Sequence, residues 1–147
     1  MRAVVTRVRE AEVTVGGRSV GKIGRGFLVL LGISPEDTEV QVDKIADRIC
    51  GLRVFEDEHG KMNLAPDKVG AELLIVSQFT LYADCKSRRP GFTSAAGPDT
   101  ARPLYERCVE NCRERGFKVE CGEFGAEMLV SSVNDGPVTL LLDTDEL

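Results

Sequence analysis

The longest apolar run in the chain is Phe27-Leu28-Val29-Leu30-Leu31, and it is followed directly by Gly32-Ile33. It falls far short of the roughly 20 residues of a bilayer-spanning helix. Gly24 and Gly26 turn the chain just before it. A short apolar run bounded by turn residues reads as a strand buried on both faces. Such a strand needs cover on both sides, and the flanking segments indicate what supplies it. Residues 2–8 and 11–15 alternate apolar and polar positions as strands do. Gly16-Gly17 is a two-residue hairpin signal, and Arg18–Ile23 is the return strand.

Helical periodicity begins after the apolar run. In "SPEDTEVQVDKIADRICGL", Val42, Ile45, Ala46 and Ile49 recur at helical spacing. Ser34 suits the cap, Pro35 the first helical position, and Glu36 and Asp37 the positive end of the dipole; Gly51 suits the stop. Leu52–Phe55 reads as a short strand, "DEHGKMNLAPDKVG" as a long loop, and Leu73–Ser77 as a buried strand entering "SQFTLYAD". Residues 84–98 are a polar loop. Ala101, Leu104, Tyr105, Cys108, Val109 and Cys112 mark a second amphipathic helix that ends at Gly116, with Pro103 near its start. Strands at 118–122, 127–133 and 137–142 close the chain, the last two joined by a turn at Asn134-Asp135-Gly136-Pro137. The expected fold class is α+β: an antiparallel-rich sheet curling toward a barrel, with two main helices outside.

Composition narrows the function. A length of 147 residues without repeats or a Pro/Ser-rich linker predicts one domain, residues 1–147. The N-terminal "MRAVVTRVRE" has the form of neither a signal nor a transit peptide, which points to the cytoplasm. A net charge of −5 argues against a protein that coats nucleic acid non-specifically. It leaves room for a local basic patch, and "KSRRPGF" places Lys86, Arg88 and Arg89 beside Phe92. Five cysteines without a CxxC read as reduced thiols. His59 is the only histidine and sits in the turn-like "EDEHGK", so a multi-histidine zinc site is excluded and a Ser-His-Asp triad would have to use that residue.

Two stretches could carry chemistry. In "SQFTL" a buried strand ends in a hydroxyl, an amide, an aromatic and a second hydroxyl, and polar groups there must cap the strand or face a pocket. Ser77 and Thr80 have no His or Lys adjacent to activate them, so hydrogen-bond donation toward a carbonyl or oxyanion suits them better than covalent catalysis. In "NDGPVT" the residue types are turn chemistry, and spacing alone predicts a turn.

Taken together, the two stretches resemble the paired motifs of the D-aminoacyl-tRNA deacylase family. The likeness extends along the chain through Arg7–Val15, Ile23–Ile33, "GKMNL", "VSQFTL", "RP.F" at Arg89–Phe92 and "LVSSVNDGPVT". It implies an α+β barrel-like fold and hydrolysis of the ester between a D-amino acid and the 3′-terminal adenosine of tRNA. Removal of glycine mischarged on tRNA-Ala is implied as well. The implied unit is a homodimer needing no cofactor or metal. Ser77, Gln78, Phe79 and Thr80 would form the catalytic pocket, with the Phe79 N–H facing the ester. Gly136 and Pro137, through a cis bond, would reach into the partner's pocket and reject L-amino acids with their carbonyls. Arg7 would hold that motif, and Lys86, Arg88 and Arg89 would meet the tRNA acceptor end. A neighbouring subfamily that acts on L-alanyl-tRNA differs at the "SQFTL" position, which stands unaltered here. The competing readings are a non-catalytic module binding nucleic-acid ends and a general esterase acting on free amino-acid esters.

Overall fold

The computed structural model describes residues 1–147. In chain order the elements are β1 (Arg2–Val15), β2 (Arg18–Ile23), β3 (Gly26–Gly32), α1 (Glu39–Gly51), β4 (Phe55–Glu56), β5 (Met62–Leu64), β6 (Glu72–Ser77), α2 (Pro98–Glu114), β7 (Val119–Cys121) and β8 (Leu129–Asp143). Single 3-10 turns follow β5 (Pro66–Val69) and β6 (Phe79–Tyr82).

The main sheet has six strands in the order β2-β1-β3-β6-β7, with β8 on the other side of β1. β1 pairs antiparallel with β2, β3 and β8, whereas β3–β6 and β6–β7 are parallel. The parallel pairs are made possible by α1 and α2, which carry the chain back between β3 and β6 and between β6 and β7. The sheet is therefore mixed, and it curls until β2 packs against β6 and β7. Gly21 lets β2 and β7 touch: a methyl there would run into the Cys121 carbonyl.

The apolar run behaves as its composition predicts. Phe27, Val29 and Leu31 face the larger core under the helices, where they meet Val42, Ile45, Ala46 and Ile49 of α1 and Tyr105, Cys108, Val109 and Cys112 of α2. Leu28 faces the smaller core inside the curl, with Val8, Val13, Ile23, Leu74 and Val76. All five cysteines are free thiols. Hydrogen bonding to Cys108 together with burial pushes the Cys112 thiol up to about 12, so it packs in the core as a neutral thiol.

Several boundaries differ from the expectation. Residues 2–15 form one strand rather than two, because β8 pairs along nearly its whole length while β3 and β2 share its other edge. α1 begins at Glu39, not Pro35. Asp37 is occupied by the Ser34 N–H (2.8 Å) and the Met1 amino group (2.9 Å), and Thr38 with Gln41 forms a complete capping box one turn later. α2 begins at Pro98, a favourable first position, and carries Pro103 within its first turns. β4 and β5 pair with each other across the segment read as a loop.

The largest difference lies at the C-terminus. Residues 129–143 are a single strand, β8, and not two strands joined by a hairpin. Its register on β1 runs from Thr6↔Thr139 to Val8↔Asn134, so Asp135-Gly136-Pro137-Val138 stands opposite Arg7 alone. The turn residues thus build a bulge that leaves the sheet and rejoins it.

Candidate active site

β3 and β6 run parallel and end side by side, and the outer ends of such strands are where a crevice opens. The chain leaving β6 at Ser77 turns across this end. The Gln78 N–H donates to the Leu31 carbonyl (2.8 Å), and Phe79–Tyr82 coils into one 3-10 turn. The turn lies directly on β3 because residue 32 is glycine: a Cβ there would stand 2.9 Å from Leu81 Cβ and 3.1 Å from the Gln78 carbonyl oxygen. Arg2 braces the far side, donating to the Leu81 carbonyl (3.1 Å) and lying 4.5 Å from the centre of the Tyr82 ring.

The cleft over this turn has a volume of about 590 Å³, within the range of small-ligand sites. Ser77, Gln78 and Phe79 form one wall, Phe92 and the residues leading into α2 a second, and Phe124, Met128 and Val130 a third. No titratable side chain lines it. Phe79 is 53% exposed and meets Phe92 edge-on, with ring centres 5.2 Å apart. Behind the cleft, the Tyr105 hydroxyl donates to the Ile75 carbonyl at 2.6 Å, and burial raises its pKa well above the ordinary phenol value. Gln78, at the head of the turn, has no side-chain capping bond. The first two N–H groups of the turn, those of Phe79 and Thr80, have no acceptor within the chain. They are fixed donors at the edge of an apolar cleft.

The residues expected from the sequence separate into two places. Ser77, Gln78 and Phe79 line the cleft. Thr80 lies on the same turn, but its hydroxyl accepts from Gln78 Nε2 at 2.5 Å and is not part of the cleft wall. Gly136, Pro137 and Arg7 form a second centre that shares no lining residue with the cleft in this chain. The Gly136–Pro137 bond is cis, and Gly136 has φ +131°. The conformation favours glycine, and a Cβ at Gly136 would lie 2.9 Å from Arg7 Nη2 and 2.9 Å from Val138 Cγ2, so any side chain there would also have to displace the ends of both.

Arg7, 6% exposed, donates from Nε to the Asp135 carbonyl (2.9 Å) and from Nη1 to the Val54 carbonyl (2.5 Å). Asn134 closes the bulge, accepting from the Val138 N–H (3.0 Å) and donating to Thr139 Oγ1 (3.1 Å). Lys86, Arg88 and Arg89 are exposed on the loop that ends at Phe92. That loop is closed by reciprocal Asp84–Gly91 backbone bonds of 2.8 and 2.9 Å. His59 is exposed and 3.5 Å from Glu58.

The third wall, Phe124 and Met128, was not anticipated. In "EFGAEM" neither Phe124 nor Met128 stands out by periodicity or by a reactive group, and only the fold brings them over the end of β6. The same holds for Ala95 to Pro98, whose role is to start α2 at the cleft edge.

Residues 4–143 match the model of the family described as D-Tyr-tRNA(Tyr) deacylase. The chain is 56% identical over its full length to a protein of Thermotoga petrophila named D-aminoacyl-tRNA deacylase, covering 99% of that protein. It is 59% identical to one of the same name from Thermus aquaticus, with 99% of this chain and 97% of that protein covered. Among solved structures, the c-Myc DNA Unwinding Element Binding Protein superposes with a TM-score of 0.92 at 44% identity, covering 97% of this chain and 98% of that one. A probable eukaryotic D-amino acid tRNA deacylase superposes with a TM-score of 0.82 at 18% identity, covering 96% and 97%, a likeness of fold.

Proposed function

This chain belongs to the D-Tyr-tRNA(Tyr) deacylase family, and on that premise we propose how its two centres act on substrate. It is a D-aminoacyl-tRNA deacylase, a hydrolase of the ester joining a D-amino acid to the 3′-terminal adenosine of tRNA. The observation that carries the mechanism is the pair of unpartnered N–H groups at Phe79 and Thr80, on the turn that borders an apolar cleft without a titratable side chain.

The terminal adenosine enters the cleft, its base held by the aromatic walls at Phe79, Phe92 and Phe124. The ester carbonyl then meets the two N–H groups, which stabilise the oxyanion as it forms. Water adds to the carbonyl carbon, the bond to the ribose 3′ oxygen breaks, and that oxygen takes a proton. Free tRNA and the D-amino acid leave. Thr80 has no base beside it, so the neighbouring 2′-hydroxyl of the tRNA assists the attack in place of a side-chain nucleophile. Ser77 and Gln78 position the substrate and the turn.

Gly136 and Pro137 act as the stereochemical filter. Their carbonyls face the substrate α-carbon, where an L side chain would collide and a D side chain or glycine would not. Glycine on tRNA-Ala is therefore a substrate too. Because bulge and cleft are separate in one chain, a second copy supplies the bulge, and the enzyme acts as a homodimer. β8 supports this: it is a long outer strand with Leu129 77% and Leu141 82% exposed, apolar surface that a partner would cover. Lys86, Arg88 and Arg89 meet the acceptor-end phosphates despite the overall negative charge. No helix is long and apolar enough to cross a membrane, which accords with work in the cytoplasm, where tRNA is charged.

The test compares D-Tyr-tRNA with L-Tyr-tRNA, alongside light scattering for the dimer. Cleavage of the D form alone is expected. Thr80→Ala should keep most activity, and a 2′-deoxy terminal adenosine should abolish it. Nucleic-acid binding without ester cleavage by the folded protein would overturn the enzymatic reading, and the reverse outcome for Thr80 and the 2′-hydroxyl would restore a side-chain nucleophile.

A further inference from the structure

Beside the Gly136–Pro137 bulge lies a recess of about 540 Å³ whose lining includes Arg7, Arg9, Arg25, Phe55, Glu56 and Asp135. We propose that this recess is a phosphodiester subsite for the single-stranded 3′ end of the substrate RNA, with Arg9 and Arg25 as its binding groups. The proposal deepens the deacylase reading and rests on it for the identity of the strand.

The three arginines differ in what already occupies them. Arg7 is buried and committed to two carbonyls, so it serves the bulge. Arg9 is 76% exposed, and its only ionic partner is Asp135 Oδ1 at 3.7 Å, too long for a direct hydrogen bond. Arg25 is exposed, with its guanidinium carbon 5.2 Å from the centre of the Phe55 ring. That ring is buried and packs on Phe27 at 5.1 Å, so Arg25 rests on a fixed platform. An arginine held against an aromatic ring keeps its N–H groups available for a planar, two-pronged contact, which matches phosphate geometry.

Charge supports an anionic ligand. Three guanidinium groups face two carboxylates, an excess of positive charge in a chain whose net charge is −5. Position supports a nucleic-acid strand. Asp135 belongs to the recess and adjoins Gly136, so wherever the bulge meets an aminoacyl ester, the recess accompanies it. The strand that carries the ester bears a phosphodiester at each nucleotide. The second centre would then perform two tasks: Gly136–Pro137 reads the amino acid, and the arginines behind it hold the chain that delivers it.

The experiment titrates binding of an uncharged RNA hairpin with a single-stranded 3′ tail against salt, for the wild type, Arg9→Gln/Arg25→Gln and Glu56→Gln. Arg107→Gln, an exposed arginine on α2, is the control. The double variant should bind about tenfold more weakly, and its salt slope should fall by about 0.7 for each single-strand phosphate lost. Glu56→Gln should bind more tightly, Arg107→Gln should match the wild type, and Arg25→Lys should recover part of the affinity. In parallel, kcat/KM on D-aminoacyl-tRNA should fall for the double variant through KM, while hydrolysis of D-aminoacyl-adenosine, which lacks the phosphates, should not change.

An unchanged salt slope overturns the subsite, as does an equal loss on both substrates, which would place the arginines in local folding. Competition by inorganic phosphate without any effect of the variants on the hairpin would also overturn it, leaving a free-anion site. If the wild type cleaves neither substrate while the arginine variants still weaken hairpin binding, the subsite stands and the deacylase reading fails.

Discussion

Gly32→Ala tests whether the position of the Phe79–Tyr82 turn governs catalysis. The added methyl would sit 2.9 Å from Leu81 Cβ, 3.1 Å from the Gln78 carbonyl oxygen and 3.3 Å from Tyr82 Cδ2. All three neighbours belong to the same turn, so one movement away from β3 relieves every contact. Carbon atoms prefer separations of about 3.5–4.0 Å, so the turn must rise by roughly 0.6–1.1 Å. That movement strains the bond from the Gln78 N–H to the Leu31 carbonyl, which anchors the turn at 2.8 Å. Overpacking of this kind costs about 1–3 kcal/mol. At this chain length that corresponds to a fall in Tm of roughly 2–12 °C.

The effect on chemistry is larger than the effect on stability. The Phe79 and Thr80 N–H groups move with the turn, and a displacement near 1 Å can lower a rate by about a hundredfold. The assay is kcat on D-aminoacyl-tRNA at a temperature where the variant is fully folded by circular dichroism. A loss of about 10- to 100-fold in kcat is expected. Gly51→Ala is the control, since nothing lies within 4 Å of a Cβ there and the position ends a helix. It should be neutral or slightly stabilising, by up to about 1 kcal/mol. A Gly32→Ala enzyme with lowered Tm and unaltered kcat would refute the claim that the backbone of this turn is the catalytic device.

Arg7→Lys keeps the charge but loses the fork that serves the Asp135 and Val54 carbonyls, so kcat/KM should fall at least about tenfold, and D-over-L selectivity, measured in the same assay, should narrow. The Gly24 N–H, and after it Lys118, hold the Glu72 carboxyl below the usual carboxylate range; its contribution is present above the unfolded value of about 4.3 and is lost as pH falls from there through the lower folded-state pKa, so urea midpoints of Glu72→Gln should show a flatter acid limb than the wild type. Burial, then Asp37 and Asp143, pushes Tyr82 up to about 12; a raised phenol stabilises the fold below its unfolded pKa of about 10 and loses that contribution as pH climbs toward 12, so phenolate absorbance should lag behind that of free tyrosine and Tyr82→Phe should flatten the alkaline limb of stability. Because no titratable side chain lines the cleft, kcat should show no bell between about pH 6 and 8; a bell there would reveal an ionising side chain in the reaction.

Local rules reached some of this molecule and missed the rest for physical reasons. The buried strand, the Gly16-Gly17 turn with φ of 57° and 77°, and the core face of α1 follow from composition within a few residues. The helix start did not follow, because Asp37 is drawn into a bond with Met1, a contact 36 residues away in sequence. The parallel pairing of β3 with β6 depends on a helical crossover, and local alternation carries no sign of direction. The Asn134–Pro137 stretch is the instructive failure. Its residues favour a turn, yet β1 pairs with β8 on both sides of it and Arg7 occupies the gap, so the chain bulges and does not reverse. Among the residues that line the cleft, Ser77, Gln78 and Phe79 stand out in the sequence as polar and aromatic groups at a strand end, whereas Phe124 and Met128 are placed only by tertiary structure.

On the proposed mechanism the site resists residue-by-residue reading for a further reason: its working parts are main chain. Gly32 lets a turn lie close, Gly136 lets a bulge form beside an arginine, and the groups at the cleft edge are the N–H groups of Phe79 and Thr80. This arrangement has a consequence for specificity. A pocket that reads side chains favours a few amino acids, whereas the proposed wall of Gly136–Pro137 carbonyls would exclude one hand of every chiral amino acid and favour none. Substitutions among the cleft's side chains should therefore change how tightly the terminal nucleoside is held, while stereoselectivity should follow the Gly136–Pro137 backbone and the arginine that fixes it.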